Sequence, residues 1–216
     1  MKNRRFLVLC SFLSNVLIFV MVFYAVGTSW REYAATNANG MGFKTFRYFT
    51  TDSNVLCGIA SLLAAGFTLP VLLKKRERVP KGVLLFKYTG ACAVALTFAV
   101  VLAFLGPIHG YGSMFIGTSF YLHGIVPILA MVSWIAFDRG CRLKVRAFLL
   151  GLIFAAAYGA VYFIQVVVRG FSNGGWMDFY MLRRGCRWWL SFPLVGLGAA
   201  VLCILLLVLH NRCDRE

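Results

Sequence analysis

The segment Phe46-Arg47-Tyr48-Phe49-Thr50-Thr51-Asp52-Ser53-Asn54 gathers two threonines, a serine, an aspartate and an asparagine into nine positions. A threonine hydroxyl becomes a useful nucleophile only when a nearby base takes its proton. Histidine is the side chain suited to that exchange near neutral pH, and His123 stands in Tyr121-Leu122-His123-Gly124-Ile125-Val126-Pro127. Thr50 and Asn54 share one helical face, with Cys57 next along it. Tyr158, Tyr162 and Gln165 follow at i, i+4 and i+7, and Arg169 ends that stripe. Polar-tipped residues on one face of an apolar helix must point into the bundle or a water-filled cavity. Thr51 is a competing hydroxyl.

A structural reading stands beside the chemical one. Thr, Asp, Ser and Asn are favoured helix N-caps, Asp52 complements the positive end of a helix dipole, and Tyr48 and Phe49 suit an interfacial aromatic belt. His123 bonded to a neighbouring helix, and a Tyr/Gln stripe making interhelical hydrogen bonds, need no chemistry at all.

The elements that carry these residues are transmembrane helices. The 216 residues are 61% hydrophobic and 13% charged, against about half and about a quarter in soluble domains. No Lys, Arg, Asp or Glu occurs from Phe6 to Trp30, Ser53 to Leu73, Ala147 to Val168, or Trp188 to Asn211. Each run exceeds the roughly 20 residues that cross hydrocarbon. Tyr88 to Phe137 is also free of these charges and holds two crossings, divided at Gly106, Pro107, Gly110, Gly112 and Ser113. The expected fold is all-α: a polytopic bundle of six helices, about 6–29, 50–73, 83–105, 116–137, 145–168 and 189–210, in one domain. A β-barrel would need short alternating strands.

The net charge of +15 gathers at helix ends. Lys2, Arg4, Arg5, Lys74, Lys75, Arg76, Arg78, Lys81, Lys87, Arg139, Arg142, Lys144, Arg146, Arg212 and Arg215 outnumber Arg31, Lys44, Arg47, Arg169, Arg183, Arg184 and Arg187 in the alternate connections. The positive-inside rule then places both termini in the cytoplasm of a multi-pass cell-membrane protein. Lipid headgroups, not nucleic acid, are the expected partner of the basic face. The first apolar run is too long for a signal peptide. The seven cysteines show no metal or redox spacing; Cys186 alone falls in an outward connection. No P-loop, GxGxxG, HExxH or GxSxG motif occurs, and neither a metal nor a cofactor is expected.

On this topology Thr50 to Asn54, His123 and the Tyr162–Gln165 end of helix five share the outer half. Depths fit less well: Thr50 lies about 35 Å from the inner end of its helix and His123 about 21 Å, so contact requires tilt, a deeper start to helix two or a displaced helix four. Asn15, Ser11 and Thr97 read as helix–helix contacts, and His109 and His210 as solvated.

The FxYFTxxSN opening, Phe46 to Asn54, followed two spans later by LHxxxP, Leu122 to Pro127, resembles a bacterial six-helix group, the Pr-six-Pr membrane proteins, related to the eukaryotic androgen-induced gene/FAR family. The resemblance implies a six-span threonine/histidine hydrolase of fatty acid esters of hydroxy fatty acids, with Thr50 as nucleophile and His123 as base. It also implies Asn54, Tyr162 or Gln165 as oxyanion donors, and Asp52 as a group that could orient the histidine, although it faces differently from Thr50 on a regular helix. Two other readings are a small transporter or ligand-binding membrane protein using the same cavity without chemistry, and a structural subunit with a small-residue face at Gly151, Ala155 and Gly159.

Overall fold

The computed structural model describes residues 2–36, 42–183 and 187–214; Arg184, Cys186 and Arg215 lie outside the described residues. Among these, all regular structure is helical. The long helices are α1 (Lys2–Thr36), α2 (Phe49–Leu72), α3 (Lys81–His109), α4 (Gly117–Phe137), α5 (Val145–Arg169) and α6 (Trp188–Cys213). All six are long and apolar enough to cross a membrane, which makes the chain an all-α, multi-pass membrane protein.

α1 runs past the expected 6–29 at both ends. Arg and Glu are good helix formers once outside hydrocarbon, and Arg4 is held by the Glu77 carbonyl at 2.9 Å. α3 also outruns its expected end at 105. Pro107 lacks an N–H and crowds the carbonyl four residues back. The chain absorbs this with a π-helical turn over Val101–Leu105 and stops only at Gly110, whose φ of 84° ends the helix. Gly106 and Pro107 therefore belong to α3, and the true divider is Gly110.

The helices alternate in direction. The start of α1, the segments 73–80 and 138–144 and the end of α6 share one end, called here the terminal end; segments 42–48, 110–116 and 170–183 share the distal end. α3 is the hub, packed against α2, α4, α5 and α6, while α1 covers α2 and α4. Tyr88, Cys92, Trp134 and Cys203 join in a buried core, where the Tyr88 hydroxyl donates to the Cys203 carbonyl at 2.7 Å. A Cβ on Gly151 would meet the Cys203 sulfur at 2.8 Å and the Cys92 sulfur at 2.9 Å. Gly151 of the small-residue stripe thus lies in an internal seam between α5, α3 and α6, whereas a Cβ on Gly159 would meet nothing within 4 Å.

Polar side chains inside the bundle are held by hydrogen bonds, as a water-free setting demands. Asp138, just past α4 and only 3% exposed, accepts from Ser11 Oγ at 2.6 Å and Asn15 Nδ2 at 2.7 Å on one oxygen, and from Ser133 Oγ at 2.9 Å on the other. Ser11 lies seven residues along α1 from Arg4, about 10 Å inward. The end of α4 is consequently drawn into the bundle. Lys87 is fully buried and donates to Ser61 at 2.7 Å.

His210 is also fully buried, against the expectation that it is solvated. Its Nδ1 lies 2.9 Å from the Trp134 carbonyl, its Nε2 3.3 Å from that of Cys141, and its ring stacks on Trp134 at 4.0 Å. The segment 138–144 folds over the end of α6 and covers it, pinned where Asn211 exchanges hydrogen bonds with Leu143 and Asp214 accepts from the Gly140 N–H. His109 is exposed, as expected.

Replacing Asp138 with Ala would leave three buried donors without their acceptor, at a cost of about 2–3 kcal/mol. Thermal unfolding in detergent should show a clearly lower midpoint for Asp138→Ala and a smaller loss for Asp138→Asn; equal midpoints for all three proteins would contradict the anchoring role.

Candidate functional site

α2 opens after Tyr48, whose φ of −99° and ψ of 127° are extended and whose side chain makes no cap. The cap comes from afar: the Phe49 N–H donates to the Tyr180 hydroxyl at 2.8 Å. Tyr180 belongs to the 170–183 segment, which folds over the distal end as an aromatic cluster, with Tyr48 and Phe179 at 4.6 Å and Tyr162 and Tyr180 at 5.3 Å between ring centroids. Burial pushes the Tyr180 phenol up to about 12, with hydrogen bonds from Phe49 and its neighbours restraining the rise. Asp52 sits partly buried in the first turn of α2, favourably placed against the helix dipole.

The two adjacent threonines are turned to different neighbours. Thr51 is buried, its hydroxyl 3.4 Å from that of Thr45 in the segment preceding α2. Thr50 shares the face of Ser53 and Asn54. Ser53 meets Thr97 of α3 at 2.8 Å, and Asn54 reaches the Leu122 carbonyl of α4 at 3.0 Å. The Thr50 face is therefore the one directed at α3 and α4, with Tyr180 beside it.

Asn54 joins the two halves of the site. Its amide nitrogen donates to the Thr50 carbonyl at 2.8 Å as well as to Leu122, so both amide protons are committed. Asn54 is a strap between Thr50 and the residue before His123, not a spare oxyanion donor. Its Oδ1 is buried and unpartnered, an acceptor facing no donor.

His123 lies in a π-helical turn, Tyr121–Ile125. Pro127, four residues on, crowds the His123 carbonyl, and the wider turn relieves the clash. Nδ1 is 2.7 Å from the Met114 carbonyl. A carbonyl only accepts, so Nδ1 carries a proton and Nε2 is left as the basic nitrogen of the neutral ring. Nε2 makes no hydrogen bond among the described residues, and Phe115 stands edge-on to the ring at 6.5 Å. Thr50 and His123 do not hydrogen-bond to each other; Asn54 sets their relative level. The Asn54–Leu122 bond brings the start of α2 level with the residue before His123.

Two other expected donors are committed elsewhere. The Tyr162 hydroxyl donates to Asp178 Oδ1 at 2.8 Å and accepts from the Tyr180 N–H at 3.1 Å. Asp178 also takes the N–H groups of Leu182 and Arg183, so Tyr162 anchors the covering segment. Gln165 accepts from Arg169 at 3.5 Å on the exposed side of α5 and does not join the Thr50 face. Tyr158 donates to the Arg47 carbonyl at 2.6 Å. The sequence marks Tyr180 only through the density of aromatics in 171–183, because its partner lies 131 positions away. Among the described residues, no three His, Cys, Asp or Glu side chains are grouped to hold a metal.

No family model, curated protein or solved structure matches the chain.

Tyr180→Phe removes the acceptor of the Phe49 N–H at a cost of about 1 kcal/mol, comparable to losing a helix cap. Hydrogen–deuterium exchange should rise selectively over residues 49–52; unchanged exchange there would rule out the cap.

Proposed function

We propose that this protein is a membrane-embedded threonine/histidine hydrolase of lipid esters, with its site in the outer half of the cell membrane. The observation that carries the reading is the Asn54 strap, which ties the Thr50 carbonyl and the residue before His123 to one amide group. The resemblance of Phe46–Asn54 and Leu122–Pro127 to the Pr-six-Pr and androgen-induced gene/FAR proteins adds the chemistry. The positive-inside rule turns the basic terminal end toward the cytoplasm and the distal end outward.

In this reading the Thr50 Oγ attacks the ester carbonyl while His123 Nε2 takes its proton. The Met114 carbonyl on Nδ1 holds the ring in the required tautomer, the orienting role that a third group plays in hydrolytic triads. The tetrahedral oxyanion is met by the Tyr180 phenol, which keeps its proton at neutral pH. The imidazolium then protonates the leaving alkoxide. Water, activated by the same nitrogen, releases the fatty acid from Thr50. Thr50 Oγ and His123 Nε2 must close up around the bound ester for the first step, a tightening common on substrate binding.

A non-catalytic transport or ligand-binding role using the same outer-half cavity is the second reading, favoured by the absence of a hydrogen bond between the Thr50 and His123 side chains; His123 Nδ1 is instead held by the Met114 carbonyl.

Fluorophosphonate labelling of the purified protein in detergent separates the two. The hydrolase reading expects labelling of the wild type, retention in Thr51→Ala, and a loss of at least about 100-fold in Thr50→Ala and His123→Ala. A folded wild type that takes no label, or a Thr50→Ala protein that labels fully, would overturn it in favour of binding or transport.

A further inference from the structure

At the terminal end, two connecting segments carry the same pattern. Residues 73–81 hold five Lys and Arg against Glu77, and residues 139–146 hold four against no acid. In each, a buried apolar residue sits between exposed cations: Val79 between Arg78 and Lys81, and Leu143 between Arg142 and Lys144. Val79 and Leu143 belong to one buried cluster with Leu84 and Ala147, so packing them inward brings both pairs of cations to one surface. The segments also meet directly, since a Cβ on Gly140 would lie 4.0 Å from the Arg78 Cβ. Among the described residues, none of these four cationic side chains has a hydrogen bond or an ion pair. Other charges nearby are engaged. Arg76 turns back over the Phe67 ring at 5.4 Å, and Arg139 donates to the Ala136 carbonyl at 3.0 Å. Asp214 accepts from the Gly140 N–H, and Asp138 is enclosed by its three donors.

Like charges held side by side repel one another, and an anion shared among them relieves that repulsion. Directly after Lys144 the surface turns apolar. Val145, Leu149 and Ile153 stand at i, i+4 and i+8 on α5 and are 72%, 56% and 61% exposed. They form a stripe about 12 Å long, running from the cations toward the middle of the helix. Cations above an exposed apolar stripe match the order of headgroup and acyl chain in an anionic phospholipid. The number of phosphates follows from the pairing. Each segment offers one Arg, whose fork clasps a phosphate, and one Lys, which adds a compact charge; a single phosphate would leave one pair unmatched. We propose that the surface of Arg78, Lys81, Arg142 and Lys144 is a binding site for a phospholipid with two phosphodiesters in one headgroup, of the diphosphatidylglycerol type. Each phosphate is taken by the cations of one segment, and the chains lie along α5. The site is at the opposite end of the bundle from Thr50 and His123 and stands whether or not they react.

The test is native mass spectrometry of the full chain released from maltoside micelles, titrated separately with diphosphatidylglycerol, phosphatidylglycerol and phosphatidylcholine. The wild type should hold the two-phosphate lipid about tenfold more tightly than phosphatidylglycerol supplied at equal phosphate, and phosphatidylcholine more weakly still. Arg142→Gln and Lys144→Gln should each lower retention of the two-phosphate lipid about fivefold. All of these side chains are exposed, so thermal midpoints in lipid-free detergent should match the wild type. The control is the double variant Lys74→Gln/Lys75→Gln, which removes as much charge from the same end as Arg142→Gln/Lys144→Gln but should keep the preference. Equal retention of the two-phosphate lipid and phosphatidylglycerol by the wild type would overturn the proposal. So would an equal loss in the two double variants, which would assign the binding to diffuse charge.

Discussion

The carboxylate of Asp138 fixes how high α4 stands in the bundle. A charge just past the last residue of a transmembrane helix would ordinarily rest at the interface. Here three donors from α1 and α4 draw it inward, because satisfying a carboxylate inside protein requires several hydrogen bonds at once. The rest of α4 rides on that anchor. Toward its opposite end Leu122 faces Asn54 of α2. The level of His123 relative to Thr50 is thus set by a polar cluster some fifteen residues further along the same helix.

The second organising influence is proline. Pro107 and Pro127 each follow a π-helical turn, Val101–Leu105 and Tyr121–Ile125. In both cases the wider turn makes room where the ring would strike a carbonyl. In α4 the turn rotates the residues that precede Pro127 and directs His123 at the Met114 carbonyl. Tyr180 plays the matching part for α2, supplying from another segment the cap that Tyr48 does not. The site is therefore framed by two local irregularities and a borrowed cap, and no single helix holds it alone.

The six spans were legible because hydrocarbon thickness and the exclusion of charge act residue by residue, and both can be counted along the chain. Where α1 and α3 ran longer than expected, the reason was equally local: charged residues continue a helix outside lipid, and a π turn lets a helix pass a proline. Partnerships were the illegible part. Nothing near Asn54 announces that Leu122 takes its amide proton, and nothing near Tyr162 points to Asp178. Residue types named Thr50, His123, Asn54, Asp52, Tyr162 and Gln165 as polar candidates, but only three-dimensional packing shows that Asn54 and Tyr162 are structural ties and that Gln165 looks outward. His210 escaped for the same reason, since the segment that buries it arrives from the connection between α4 and α5.

Lys87 has a consequence for how the chain enters the bilayer. An ammonium carried into hydrocarbon on an isolated helix costs up to about 3 kcal/mol during insertion. In the folded protein the Lys87 ammonium donates to Ser61, at the middle of α2, the preceding helix. α2 is synthesised before α3 and packs directly against it, so the partner is already at hand when Lys87 emerges. The α2–α3 hairpin thus brings its own acceptor for the buried ammonium as the two spans pack together.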